Sequence, residues 1–150
     1  LDPWQDPLGD GFQIIQSLYA IGPGGLMGMG LGQSLQKFFY LPEPQTDFIF
    51  AILAEELGFI GGAFVISLFF LLMWRGIRIA INAPDLFGSL LALGIIGMIV
   101  IQVFINISVV IGLIPVTGIT LPFLSYGGSS LTLTLLSVGI LLNISKYAKI

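Results

Sequence analysis

Asp47 is the residue whose type and setting best suit chemistry. It follows the turn Pro42-Glu43-Pro44-Gln45-Thr46 and stands where a polar stretch gives way to a long apolar one. One reading is a helix N-cap, because Asp is among the best caps and its charge suits the positive end of the helix dipole. The other is a carboxylate held at the membrane surface, where a lipid-linked substrate presents its head group. Both can hold at once. Glu55 and Glu56 lie two turns further on, inside the apolar run. A carboxylate at the bilayer centre costs on the order of 2.5–3.5 kcal/mol, so such residues face protein or water. Functional and structural roles are equally open for this pair, with one member expected to face the interior.

Gln102 and Asn106 are four apart on one helical face, which suits hydrogen bonding between helices; substrate contact is the alternative. Gly127-Gly128-Ser129-Ser130 resembles a phosphate cradle only loosely. It lacks the Lys of a P-loop and a preceding strand, and small residues in such a place also permit close helix packing. Lys37 is either a solvated side chain or a cation for a pyrophosphate. The sequence contains no His and no Cys. Acid–base chemistry therefore falls to Asp, Glu, Lys or Tyr, and thiolate chemistry and disulfides are excluded.

The elements that must carry these residues follow from composition. Apolar residues make up 56% of the chain and charged residues 9%, against about 25% charged in ordinary soluble domains. A soluble fold needs a polar exterior that these residues cannot supply. Lipid removes the need. The net charge of −3 lacks the basic stripe that nucleic acid selects.

The expected fold is all-α and polytopic, with about three transmembrane helices and an N-terminal extracellular loop. Residues 1–46 form that loop, with a short amphipathic helix at 13–21 that puts Ile14, Ile15, Leu18 and Tyr19 on one face and Ser17 off it. Gly22-Pro23-Gly24-Gly25 stops this helix, and residues 26–32 alternate Gly with Leu and Met as a flexible apolar stretch. Transmembrane helices are expected at about 47–74, 86–113 and 125–143, since crossing ~30 Å of hydrocarbon takes roughly 20 residues. The first is longer than that, so its Glu-bearing turns stand above the hydrocarbon or line a cavity. Between the second and third, residues 114–122 are too apolar for a free loop and too rich in Pro and Gly for a helix. Such backbone survives at membrane depth when packed in protein or lining a cavity. Arg75, Arg78, Lys146 and Lys149 fall on one side of this arrangement, which the positive-inside rule makes cytoplasmic, the C-terminus included. The opening at Leu1-Asp2-Pro3-Trp4 carries no Met and no signal pattern and reads as a piece of a longer polypeptide.

Three stretches together resemble the SEDS family, the FtsW/RodA/SpoVE polytopic proteins. They are Gln36-Lys37-Phe38-Phe39-Tyr40-Leu41-Pro42-Glu43-Pro44-Gln45-Thr46-Asp47-Phe48-Ile49-Phe50, then Ala54-Glu55-Glu56-Leu57-Gly58, then Gly112 to Gly118 running on through Leu121-Pro122-Phe123-Leu124-Ser125-Tyr126-Gly127-Gly128-Ser129-Ser130. Asp2-Pro3-Trp4 and Gly11-Phe12-Gln13-Ile14-Ile15-Gln16-Ser17 look closer to the FtsW/SpoVE branch than to RodA. The resemblance covers essentially the whole chain, and implies the C-terminal part of a family fold of about ten spanning helices. It implies a peptidoglycan glycosyltransferase of the bacterial cytoplasmic membrane that polymerises lipid II, in cell division or spore cortex synthesis. It also implies a class B penicillin-binding protein as partner.

The family's essential acid maps onto Asp47, as catalytic base or as ligand for a divalent cation (Mg or Mn) on the pyrophosphate. Lys37, Glu43, Ser129 and Ser130 are the expected substrate-binding residues. Some division-type relatives have a Lys in the Pro-x-x-Gly motif; Thr117 stands there in this chain. Two other readings share the cavity and the intramembrane acids: a lipid II flippase, and a non-catalytic scaffold that recruits the penicillin-binding protein.

Overall fold

The computed structural model describes residues 12–25, 28, 30 and 49–148. Asp47, Lys37, Glu43 and Lys149 lie outside the described residues. Those described form four helices and no strand: α1 (Phe12–Gly24), α2 (Ile49–Ile81), α3 (Leu86–Val110) and α4 (Gly128–Tyr147). The last three are each long and apolar enough to cross a membrane. Large apolar side chains such as Phe59, Phe64, Phe87, Phe104 and Leu133 point outward, as lipid allows and water would not.

The helix ends have local causes. α2 continues beyond Trp74, where the apolar run ends, and takes Arg75 and Arg78 into its last turns. Arg is a good helix former, and the Arg78 guanidinium lies 4.9 Å from the centre of the Trp74 ring one turn back. Asn82 closes the helix by donating from Nδ2 to the Arg78 carbonyl at 2.8 Å. Asp85 then caps α3, its Oδ2 accepting from the Gly88 amide at 2.8 Å. The other end of α3 is a Schellman turn, in which the amide of Gly112 donates to Val109 and that of Leu113 to Ser108. Gly112 sits at φ 76°, which that turn requires and glycine adopts without cost.

Two apolar clusters hold the helices together, one toward each end. Ile79, Ala80, Ala92, Ile96 and Leu141 join α2, α3 and α4 near the turn at residues 82–85. Phe50, Ala51, Ile52, Ile99, Val109, Val110 and Leu121 form the other, near the connection between α3 and α4. α1 packs here, Ile14 and Ile15 being buried. Ser17, placed off the apolar face by sequence, is fully buried as well, and Tyr19, placed on it, is about half exposed. The difference is polar. The Ser17 hydroxyl faces the carbonyls of Ile14 and Val110, each at 2.8 Å, so a buried serine completes the end of α3.

Candidate functional site

The connection between α3 and α4, residues 111–127, contains no helix or strand, and side-chain bonds replace the missing ladder. Asn106 on α3 donates from Nδ2 to the Ile119 carbonyl at 2.8 Å. The hydroxyls of Thr120 and Ser130 lie 3.1 Å apart, and the Leu121 amide donates to the Ser125 hydroxyl at 2.7 Å. Leu121 and Pro122 are buried. The segment is therefore packed, irregular backbone, as its mixture of apolar residues with Pro and Gly implies. Asn106, expected to bond across to another helix, reaches this segment. Phe123 sits at φ 68°, a conformation costing about 1–3 kcal/mol in a non-glycine residue. Its buried neighbours and a tilted ring contact with Phe69 (centroids 6.5 Å apart) hold it there.

On the same side, α2 is broken. Gly58 has φ 69° and ψ −166° in the middle of an otherwise helical run, a region essentially reserved for glycine. The stretch beyond it is about 34 Å long at 1.5 Å per residue and can cross the membrane alone. A break frees backbone groups, and each one left unsatisfied in lipid costs several kcal/mol. Here the Phe59 amide donates to the Gly25 carbonyl at 2.8 Å, and the Gly30 amide donates to the Glu56 carbonyl at 3.1 Å. Gly28 lies so close that a Cβ would stand 2.1 Å from the Glu56 carbonyl oxygen.

Glu55, just before the break, is 1% exposed. Glu56 is half-buried, and its Oε1 is sealed and has no hydrogen-bond partner among the described residues. Sequence reading took the glycines at 28 and 30 for flexibility. A run of closely spaced glycines, which also permits close approach of backbone to a neighbour, was the available signal.

Of the sequence-derived site residues, Ser129 and Ser130 are described. Ser129 is exposed on the first turn of α4; Ser130 is partly buried and engaged with Thr120. Gly127 stands at the head of α4 in extended conformation, with no side chain capping the first amides. Such a helix start suits an anion. The described start of α2, Ile49, follows Asp47 by two residues and packs against the same apolar cluster as Leu121. The part of α2 before Gly58, the pinned connection and the head of α4 thus share one side of the molecule. Among the described residues, no three acidic, His or Cys side chains gather as a metal site would need.

The family model FTSW_RODA_SPOVE, described as "Cell cycle protein", matches residues 1–150. The chain belongs to this family. It is 77% identical over 149 residues to "Stage V sporulation protein E" of Bacillus subtilis (strain 168), covering 99% of this chain and 41% of that protein. It is 59% identical over 145 residues to "Probable peptidoglycan glycosyltransferase FtsW" of Geobacter sp. (strain M18), covering 97% of this chain and 40% of that one. A solved structure described as "Structural coordination of polymerization and crosslinking by a peptidoglycan synthase complex" aligns with a TM-score of 0.76 and 40% identity, over 97% of this chain and 39% of that one. The chain thus spans about two fifths of the length of the curated relatives it matches. Family and helices together make it part of a multi-pass protein of the cytoplasmic membrane.

Proposed function

We propose that the full-length protein is a peptidoglycan glycosyltransferase that polymerises lipid II at the outer face of the cytoplasmic membrane, in cell division or spore cortex synthesis. The names of its relatives support this. The observation that carries it is the convergence of the head of α2, the Asn106-pinned connection and the uncapped start of α4 on one side. That side is opposite the end bearing Arg75, Arg78 and Lys146, which by the positive-inside rule is cytoplasmic together with the C-terminus. A class B penicillin-binding protein is the proposed partner, in keeping with the peptidoglycan synthase complex that the fold resembles.

In this reaction the 4-hydroxyl oxygen of one lipid-linked sugar forms a bond to the anomeric carbon of another. The anomeric bond to the pyrophosphate breaks, and undecaprenyl pyrophosphate leaves with the electron pair. Asp47 takes the hydroxyl proton, a carboxylate at the membrane surface being suited to act as base. The leaving group already carries its charge, so a strong acid is not needed. Lys37, Glu43, Ser129 and the first amides of α4 would hold the head group, while Ser130 shapes the cradle through Thr120. A divalent cation such as Mg²⁺ or Mn²⁺ would offset charge on the pyrophosphate, with Asp47 a suitable oxygen donor.

The test is polymer formation from lipid II by the purified full-length protein with its partner. Glycan strands support the reading. A flippase would instead move lipid II across protein-loaded vesicles without polymer, and a scaffold would do neither.

A further inference from the structure

α2 is continuous in sequence and two helices in geometry, joined at Gly58. A break with nothing across it is a hinge, because the chain on either side can swing about the freed torsions. This one is bridged. The Gly30 amide holds the Glu56 carbonyl on the outer half, and the Gly25 carbonyl holds the Phe59 amide on the spanning half. Between these bonds Gly28 rests against the break itself, where a Cβ would stand 2.1 Å from the Glu56 oxygen and 2.7 Å from the Gly58 nitrogen. Two bonds on opposite sides of a joint, with backbone wedged between them, fix the angle at that joint. The outer half begins at Ile49, two residues after Asp47.

We propose that Gly25, Gly28 and Gly30 brace the Gly58 break, and that Gly28 is a positioning residue for the start of the outer half-helix at Ile49, which Asp47 precedes by two residues in sequence. The proposal rests on the glycosyltransferase reading only for the reaction whose rate it affects. A misplacement of about 1 Å can cost on the order of 100-fold in rate, so a brace of this kind acts on turnover rather than on substrate affinity.

Two variants test it in the full-length protein with its partner. Phe59→Pro removes the N–H that Gly25 accepts, yet proline is tolerated in the first turn of a helix and the Phe59 side chain is 69% exposed. Gly28→Ala inserts the obstructing Cβ. Gly139→Ala, where a Cβ meets nothing within 4 Å, is the control. Each is also combined with Asp47→Cys in a cysteine-free background, and the thiol's reaction with an impermeant reagent is timed.

Gly28→Ala and Phe59→Pro are expected to lower kcat about 10–100-fold, with KM for lipid II within about twofold of wild type. The Asp47→Cys thiol should change its reaction rate at least about fivefold in both, since reactivity follows exposure and surroundings. The control should do neither. An unchanged thiol rate in Phe59→Pro overturns the brace, whatever happens to Gly28→Ala, including failure to insert. A shifted thiol rate in a protein whose wild type makes no polymer would refute the glycosyltransferase reading and leave the brace standing.

Discussion

The Asn106 side chain donates to the Ile119 carbonyl at 2.8 Å, tying the last turns of α3 to the middle of the irregular connection. That connection has no regular ladder, so its shape depends on a few bonds of this kind. Asn106 is 1% exposed, and Asn106→Leu would leave a carbonyl facing an apolar chain. The expected loss is about 1–3 kcal/mol. It should appear as a lower thermal midpoint in detergent and faster amide exchange over residues 114–122. Unchanged protection there would contradict the pinning role.

Ser17 joins α1 to the end of α3 through the Val110 carbonyl. Ser17→Ala should cost about 1 kcal/mol and release α1 from its seat. Limited proteolysis within residues 12–25 should then quicken while the three long helices stay protected. Equal cleavage rates in variant and wild type would show that the apolar contacts of Ile14 and Ile15 suffice.

Orientation is testable with single cysteines in the full-length protein. Cysteines replacing Gln45 and Thr117 should react with an impermeant thiol reagent in intact cells, and one replacing Asn82 should not. Similar labelling at all three would reject the arrangement, and with it the outer position of the candidate site.

The two serines at the head of α4 should behave differently. Ser129 is exposed and free to meet a head group, whereas the Ser130 hydroxyl is engaged with Thr120. Ser129→Ala is expected to raise KM for lipid II by about 3–10-fold with little change in kcat, the loss of one hydrogen bond to substrate. Ser130→Ala should lower the thermal midpoint instead. A reversed pattern would move the substrate contact to Ser130.

The three spans were legible because long apolar runs bounded by charge or proline leave little alternative in a membrane. The irregular connection was legible for the same reason, since apolar character with Pro115, Gly118 and Pro122 excludes both helix and free loop. The Gly58 break was hidden. A glycine inside an apolar helix usually marks close packing, and what bridges this one is distant in sequence, at Gly25 and Gly30. Ser17 was misplaced for a related reason: a helical face drawn from apolar residues alone cannot foresee a hydroxyl buried against a carbonyl 93 positions away. Arg75 and Arg78 ended the apolar run but not the helix, because charge marks where lipid ends and Asn82 marks where the helix does.

One substitution separates Asp47 as catalytic base or cation ligand from Asp47 as only a helix cap. Asn caps nearly as well as Asp, so Asp47→Asn would preserve a capping role while removing the charge and the capacity to accept a proton. The measurement is the rate of glycan polymer formation from lipid II by full-length wild type and Asp47→Asn, each with its partner. A catalytic or cation-binding Asp47 gives a fall of about 10²–10⁴-fold, with membrane insertion and partner binding intact. An Asp47→Asn protein that polymerises at near wild-type rate would contradict that role and leave the helix cap as the whole role of Asp47.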